Sequence, residues 1–223
     1  ALKGGYEPGS TLKPFIGLAG LELGLRRADQ RIFSSGAFRL PGQSREYRDW
    51  RRGGHGQVDL VESLAQSVNT YYYQLALDLG IERMSSYMSQ FGFGAPTGVD
   101  LVGEAVGILP SPAWKRASRN QAWYPGETVI AGIGQGFWVT TPLQLAQAVS
   151  MLANGGVRHP PRLLRAVQRG FEGEIEPVAG TIDTASVVRN PAHLKAVVDG
   201  MVAVMHGPTG TARSAAADAR YLI

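Results

Sequence analysis

The sequence contains no cysteine among its 223 residues. Disulfide bonds, thiol nucleophiles and zinc sites built on thiolates are therefore excluded for this chain. Charge of either sign is also sparse: 22 basic and 18 acidic residues leave a net charge of +4, which is too small an excess to indicate nucleic-acid binding. The longest apolar stretch, residues 15–25, contains Glu22 and is shorter than the roughly 18 residues that a membrane span needs. The chain starts at Ala1 without a signal-peptide pattern, and we interpret it as a globular segment of a longer protein.

Apolar periodicity and turn residues predict a mainly helical chain. The predicted helices are one capped by Ser10 or Thr11, then Val58–Leu79, Ile81–Phe91, a short piece at Ser111–Arg116, one opened by Thr141-Pro142, and one from Asn190 to His206. The helix after Thr141 is expected to bury Leu143, Leu145, Ala146, Val149 and Leu152. Residues 29–57 are predicted to form a long exposed excursion, residues 92–136 to hold little regular structure, and residues 162–169 to form a strand.

Ser10 and Lys13 are separated by one helical turn at a predicted helix start, so their side chains share one face. A serine hydroxyl becomes a nucleophile when a base takes its proton, and lysine can be that base where its charged form is disfavoured. Burial near the positive end of a helix disfavours that form. Because Ser-x-x-Lys is common by chance, a lone match favours a helix cap beside a solvated lysine.

A second motif, Ser67-Val68-Asn69, is followed by three tyrosines. With the flanking residues Tyr6–Phe15, the pair of motifs resembles the penicillin-binding transpeptidases, acyl-serine enzymes. Further segments extend the resemblance over nearly the whole chain, to the penicillin-binding protein 2 family of elongation-type, class B enzymes: Tyr47–Trp50, Gly54-His55-Gly56, Phe91–Gly94, Gly132–Gly136 and Thr141–Gln144.

The resemblance implies a role for each motif residue. Ser10 is expected to attack the carbonyl between two terminal D-alanines of a peptidoglycan stem peptide, and Lys13 to take its proton. Ser67 is expected to relay a proton to the departing D-alanine, while Asn69 hydrogen-bonds the substrate amide and helps to hold Lys13. An amine of a neighbouring stem peptide then closes the cross-link, whereas a β-lactam leaves Ser10 blocked.

The fold implied by the resemblance is α+β, of the serine β-lactamase-like transpeptidase type. This segment is expected to supply mostly the helical portion, with part of the antiparallel sheet missing. The whole of residues 1–223 is expected to be one partial transpeptidase domain. The implied location is the periplasmic face of the bacterial inner membrane, with the membrane anchor outside this segment. The implied partners are stem peptides, β-lactam antibiotics and an elongation-complex glycosyltransferase, with no cofactor, metal or nucleic acid.

The third motif of the family, Lys-Ser/Thr-Gly on an edge strand, is absent from the 223 residues. The segment Pro208–Ala212 contains Thr-Gly-Thr without the lysine, and we expect it to be the turn after the last long helix. On this register Tyr221-Leu222-Ile223 lies just ahead of the true motif. A degenerate third motif with Pro208 in the lysine position is the alternative, although proline lacks the N–H that a strand interior needs.

Three other features have ordinary interpretations. Gly132-x-Gly-x-Gly136 resembles a nucleotide-binding turn only superficially, and we expect a packing turn. Asp49 and His55 could bind a metal, but Ser34-Ser35 stands where an upstream acid would be needed, so a hydrogen-bonded loop is favoured. A cluster of arginines is interpreted as solvated, with recognition of anionic lipid-linked glycan as the alternative; it comprises Arg45, Arg48, Arg51 and Arg52.

The sequence is compatible with three alternative functions. A division-type transpeptidase would share the same motifs. A penicillin-hydrolysing relative needs an acid that activates water, and Glu104 and Glu127 are the acids of the turn-rich region, although nothing in their context supports that role. A non-catalytic interaction module that keeps the fold is the alternative from another class.

Overall fold

The computed structural model describes residues 1–180 and 185–217. Its helices are α1 (Lys13–Glu22), α2 (Leu60–Ala65), α3 (Asn69–Leu79), α4 (Ile81–Ser89), α5 (Pro112–Arg119), α6 (Pro125–Ala131), α7 (Pro142–Ala153), α8 (Pro191–His206) and α9 (Arg213–Ala216). Six three-residue strands form antiparallel pairs: β1 (Ile32–Ser34) with β4 (Gly56–Val58), β2 (Ala37–Arg39) with β3 (Glu46–Arg48), and β5 (Ala166–Gln168) with β6 (Ile175–Pro177). None of the helices in the described part of the chain has the length and hydrophobicity to cross a membrane.

Helix α1 is the centre of the hydrophobic core and contacts α2, α3, α4 and α8. Phe15 is fully buried and meets Phe91 and Phe93 edge-to-face, with ring centroids 5.2 and 5.4 Å apart. Aromatic pairs of this geometry stabilise a core beyond the area they bury. Gly20 lets Leu75 of α3 approach, since a Cβ there would lie 2.8 Å from a Leu75 methyl carbon. Close packing therefore fixes α1, and with it the residues at its start.

The predicted exposed excursion over residues 29–57 is wrong in part. The segment forms the β1–β4 and β2–β3 pairs, and it buries Ser34, Leu40, Tyr47 and Asp49. Glycines and arginines dominate its composition, but tertiary contacts override the composition. Tyr73 of α3, for example, donates a hydrogen bond to the Arg48 carbonyl.

The single helix predicted over Val58–Leu79 is also wrong. The chain leaves β4 at Val58, forms α2, breaks at residues 66–68 and begins again as α3. Ser67 lies at the break with a φ of +52°, in the left-handed region that cannot continue a helix. Apolar residues recur at helical spacing on both sides of the break, so the pattern did not show it. The predicted end at Gly80 is confirmed, since Gly80 is the C-cap of α3.

Two further predictions are corrected in the second half. Helix α6, within the turn-rich region, was not predicted, whereas the short helix near Ser111 is confirmed as α5. Helix α7 begins after Thr141 and buries Leu152 as predicted, but the rest of its buried face differs from the prediction and includes Gln144 and Gln147. Gln144 donates to the Ala95 and Val106 carbonyls, 2.8 Å from each, so polar side chains satisfy backbone groups of the turn-rich region.

Helix α8 matches its predicted span, with Asn190 as the N-cap. The chain after it forms turns over residues 207–212 and no strand, which contradicts the alternative of a degenerate third motif there. Thr211 donates to the Ala65 carbonyl and Ala212 to the Val204 carbonyl, so this turn fastens α8 to the end of α2. Tyr221-Leu222-Ile223 lies outside the described residues.

Candidate active site

The nucleophile candidate Ser10 is exposed and lies in a 3-10 helix, Gly9–Leu12, that leads directly into α1. Neither Ser10 nor Thr11 caps a helix through its side chain, contrary to expectation; Thr11 Oγ1 donates instead to the Pro8 carbonyl at 2.6 Å. The tighter turn places Ser10 at the surface and Lys13 in the interior. Ser10 is therefore exposed to solvent, whereas Lys13, which is expected to take its proton, is buried.

Lys13 is 1% exposed, and its Nζ donates three hydrogen bonds. These go to the Ser67 carbonyl at 2.7 Å, the Ser67 hydroxyl at 3.0 Å and Asn69 Oδ1 at 2.7 Å. The Tyr72 ring lies 5.4 Å from the same nitrogen. An ammonium has three donors, so these bonds use its full capacity. The structure therefore brings together the residues of both motifs that the sequence separates by more than fifty positions.

The link between Lys13 and Ser10 runs through Ser67. Ser67 Oγ donates to Ser10 Oγ at 3.0 Å, whereas the three hydrogen bonds that Lys13 Nζ donates end on Ser67 and Asn69. The spacing within Ser-x-x-Lys had suggested a direct contact. In the described part of the chain the amine instead reaches the nucleophile through one intervening hydroxyl.

Burial lowers the pKa of Lys13 from 10.5 to about 7, and the charge of Asp49 acts in the opposite direction. Desolvation is the larger cause because the ammonium is the charged form and the site excludes water. At pH 7 roughly half of such a lysine is neutral, compared with about one in a few thousand for an ordinary lysine. The site thus holds an amine that can accept a proton at physiological pH.

The break between α2 and α3 presents the second motif. With Ser67 in the left-handed region, its carbonyl and hydroxyl both face Lys13. Asn69 is the first residue of α3, where its side chain reaches the same amine. A non-glycine residue in this conformation costs free energy and occurs preferentially at functional sites. The sequence offered no signal for this break.

A hollow of about 380 Å³ lies beside Ser10, Lys13 and Ser67. The rest of its lining is mostly apolar, from α1, α2, α7 and α8, and includes Leu64, Val149, Leu152, Met201 and Val204. A concave apolar surface with a few convergent polar groups is the usual form of a small-molecule site. Its polar lining residues are Ser10, Thr11 and Lys13 of the first motif, Ser67 of the second motif, and Thr211.

The acids considered for water activation are engaged elsewhere. Glu104 accepts a hydrogen bond from the Thr97 backbone, and Glu127 pairs with Lys115 and accepts from the Tyr124 backbone. Neither carboxylate lines the hollow beside Ser10. Both groups hold the turn-rich region together.

The glycine-rich segment packs against the site. A Cβ on Gly134, whose φ is +72°, would lie 2.1 Å from the Gly9 carbonyl oxygen, and Gly9 N donates to the Gly134 carbonyl at 2.8 Å. Gly136 N donates to Glu7. The interpretation as a packing turn is therefore confirmed, and the turn supports the residue that precedes Ser10.

Asp49 and His55 lie in one hydrogen-bonded cluster, with His55 Nε2 3.2 Å from Asp49 Oδ1. Ser34 contributes a hydroxyl to this cluster by bonding to Thr70 Oγ1 at 2.6 Å. No group of three or more metal-ligating residues occurs within residues 1–180 and 185–217. The four arginines of the predicted cluster are all exposed.

The chain matches the family described as "Penicillin binding protein transpeptidase domain" over residues 1–222. It therefore belongs to the penicillin-binding transpeptidase family, and the predicted fold class is confirmed.

Among curated proteins, Escherichia coli peptidoglycan D,D-transpeptidase MrdA is 37% identical over 228 residues, covering 100% of this chain and 35% of the relative. The solved Pseudomonas aeruginosa PBP2, in complex with WCK 5153, is 44% identical with a TM-score of 0.89, covering 99% of this chain and 49% of that one. The Helicobacter pylori PBP2 solved with MreC is 29% identical with a TM-score of 0.84, covering 99% and 39%. The predicted resemblance to penicillin-binding protein 2 is thus confirmed. This chain spans about a third of the length of its curated relative.

Proposed function

We propose that this chain carries the acyl-serine centre of a peptidoglycan D,D-transpeptidase of cell elongation. The observation that supports it is the hydrogen-bonded series Lys13–Ser67–Ser10, in which a buried amine with a pKa of about 7 is joined to an exposed hydroxyl. The whole protein's activity is inferred from this geometry and from its relatives.

In the proposed mechanism Ser10 Oγ attacks the carbonyl between the terminal D-alanines. When Lys13 is neutral, the hydroxyl hydrogens of Ser10 and Ser67 rotate so that Ser10 donates to Ser67 and Ser67 donates to the amine. The Ser10 proton then passes to Ser67 Oγ as the Ser67 proton passes to Lys13, so that one proton arrives on the amine for each nucleophile formed. When the tetrahedral intermediate collapses, the same two groups return the proton to the amine of the departing D-alanine. The amine of a second stem peptide then attacks the ester carbonyl, and the amide bond of the cross-link forms as the ester bond to Ser10 breaks. The proton of the attacking amine passes through Lys13 and Ser67 to Ser10 Oγ, which restores the hydroxyl.

Asn69 has a double role in this proposal. Its Oδ1 accepts from Lys13, and its amide nitrogen is the group proposed to meet the substrate amide. The apolar hollow beside Ser10 is proposed to receive the donor peptide or a β-lactam. No group in the mechanism requires a cofactor.

The partners and location are proposed on the same basis. Peptidoglycan stem peptides and β-lactams are the proposed ligands, and a glycosyltransferase of the elongation complex is the proposed protein partner. The solved complex of the Helicobacter pylori relative with MreC supports assembly with a protein partner. The proposed location is the periplasmic face of the bacterial inner membrane.

The direct test is covalent labelling of the full-length protein by a fluorescent penicillin. The full-length protein is needed because a Lys-Ser/Thr-Gly motif is not present within these 223 residues. We expect labelling of the wild type and none of Ser10→Ala. Ser118→Ala is the matched control, since Ser118 is an exposed serine bonded only to its own helix in α5. Equal labelling of wild type and Ser10→Ala would refute the nucleophile.

The base is tested by Lys13→Arg, which keeps the charge but cannot become neutral at this pH. We expect acylation to fall by about 10² to 10⁴, the range for loss of a positioned base. Lys195→Arg is the control, because Lys195 is an exposed lysine paired with Asp199. Undiminished acylation of Lys13→Arg would refute the base role. A division-type enzyme would be labelled equally. That alternative is separated by comparing D-alanine release between the wild type and Ser10→Ala in elongating cells. An elongation-type enzyme predicts a loss in the variant, and a division-type enzyme predicts none.

A further inference from the structure

The segment from Asp49 to His55 holds both ends of the α2–α3 junction by hydrogen bonds. Before the junction, it contacts Gln66: Trp50 Nε1 donates to the Gln66 carbonyl at 3.0 Å, and His55 Nδ1 lies 3.1 Å from Gln66 Oε1. The next residue, Ser67, carries the hydroxyl that joins Lys13 to Ser10. The segment thus fixes the junction on its α2 side.

The same segment also fixes the α3 side. Asp49 Oδ2 accepts from the Thr70 backbone N–H at 2.9 Å and from the Thr70 hydroxyl at 3.2 Å. Thr70 follows Asn69, whose side chain holds Lys13. A carboxylate that accepts N–H bonds in the first turn of a helix stabilises that helix end.

His55 holds Asp49 in this position. The side chains of Asp49 and His55 are both 0% exposed, with His55 Nε2 3.2 Å from Asp49 Oδ1. Each carboxylate oxygen of Asp49 therefore has its own partner, Oδ1 facing the imidazole and Oδ2 facing Thr70. A buried charge with every acceptor engaged has one preferred orientation.

The charge of Asp49 also acts on Lys13, in the direction that favours the ammonium. Tyr72, Glu22 and Glu62 are further titratable groups on α1 and on the helices packed against it. Tyr72 of α3 presents its ring, and its own pKa is raised well above 10 by burial. Glu22, at the far end of α1, pairs with His193 of α8, and Glu62 of α2 pairs with Arg31.

We propose that Asp49, oriented by His55, is a positioning residue that holds the Ser67–Asn69 turn against Lys13 and that its negative charge favours the ammonium form of Lys13. Asp49 acts through Thr70 and through its charge, without touching the nucleophile. This inference rests on the proposed function for its effect on acylation, but its effect on Lys13 is independent of that function.

The test compares Asp49→Asn and Asp49→Ala in the full-length protein. Asparagine keeps an acceptor for Thr70 and removes the charge, while alanine removes both. The Lys13 amine is titrated by competitive acetylation with acetic anhydride across a pH series, followed by mass spectrometry of the Lys13 peptide. We expect the midpoint of Asp49→Asn to move down by about 0.5 to 1 pH unit, because an opposite charge has been removed.

Acylation by fluorescent penicillin is measured over the same pH series. In Asp49→Asn we expect the acidic limb to move down with the Lys13 midpoint. In Asp49→Ala we expect the plateau rate to fall by about 10- to 100-fold, which is the usual cost of a misplaced catalytic group. The asparagine variant should recover part of this loss. Asp59→Asn is the matched control: Asp59 caps α2 through the Glu62 N–H, and neither readout is expected to change.

A midpoint for Asp49→Asn equal to or above that of the wild type, in a protein with a wild-type melting profile, would overturn the proposal. If the alanine variant does not fold, the Lys13 midpoint of the asparagine variant still tests the proposal. Absence of wild-type acylation would refute the proposed function, whereas the acetylation midpoints would still decide the action of Asp49 on Lys13.

Discussion

Lys13 holds Ser67 by two hydrogen bonds, one to its carbonyl oxygen at 2.7 Å and one to its hydroxyl at 3.0 Å. The first bond belongs to the backbone and survives any substitution of the Ser67 side chain. The second belongs to the hydroxyl that also contacts Ser10. A substitution of the Ser67 side chain therefore removes the link between Lys13 and Ser10 and leaves the bond that holds Lys13 to the Ser67 carbonyl.

Ser67→Ala is expected to lower the rate of acylation by a fluorescent penicillin by about 10² to 10⁴, because the proton route is cut. The melting temperature should change little, since the carbonyl still holds Lys13. Ser67→Gly is the companion variant: glycine suits the φ of +52°, so it should be at least as stable as the alanine variant and equally slow. Acylation at the wild-type rate in either variant would contradict the relay.

The free energy of unfolding should rise with pH between about 7.5 and 9.5. The pKa of Lys13 is about 7 in the folded protein and 10.5 as its ordinary value, so in this range the unfolded chain binds the extra proton. Stability then increases by about 1.4 kcal/mol per pH unit from this group. Above pH 10 the free energy of unfolding should fall with pH. Burial raises the pKa of Tyr71 and Tyr73 to about 12, so there the folded chain binds more protons than the unfolded chain.

Urea titrations of the wild type and Lys13→Met across this pH range measure the effect. The methionine variant lacks the titrating amine, so its free energy of unfolding should vary less with pH. A wild-type stability that falls between pH 7.5 and 9.5, or equal slopes in both proteins, would show that the amine is not desolvated.

Gly134→Ala is expected to lower both the melting temperature and the acylation rate. Its Cβ would meet the Gly9 carbonyl at 2.1 Å, and backbone cannot yield there without moving the turn that carries Ser10. Gly24→Ala is the matched control, since Gly24 has a φ of +70° but open space around its Cβ position. That control should lose about 1 kcal/mol from the left-handed conformation alone and acylate normally. Normal acylation by Gly134→Ala would contradict the close approach.

Gln144→Leu should destabilise the fold by about 3 kcal/mol or more. The substitution keeps the volume but removes the donor shared by the Ala95 and Val106 carbonyls and the acceptor for the Thr141 N–H. Each buried polar group left without a partner costs about 1 to 3 kcal/mol. Urea denaturation measures the loss, with Gln121→Leu as the control at an exposed glutamine. A stability equal to the wild type would show that water replaces these bonds.

Local signals predicted several elements well. Thr141-Pro142 and Asn190-Pro191 fixed the starts of α7 and α8, because a capping side chain and proline at the first turn act over a few residues. The motifs also singled out Ser67 and Asn69, whose side chains accept hydrogen bonds from Lys13. What failed depended on distant contacts: the buried face of α7, which includes Gln144 and Gln147, and the break at Ser67.

The sequence by itself determined the family, through motifs that resemble it over nearly the whole chain, and through that resemblance it predicted Ser10, Lys13, Ser67 and Asn69 as the site residues. Only the tertiary structure decided that Lys13 reaches Ser10 through the Ser67 hydroxyl. It also decided that Asp49 lies behind the same junction. The physical reason is that the left-handed residue at the junction and the desolvation of the amine both arise from packing between segments more than fifty residues apart.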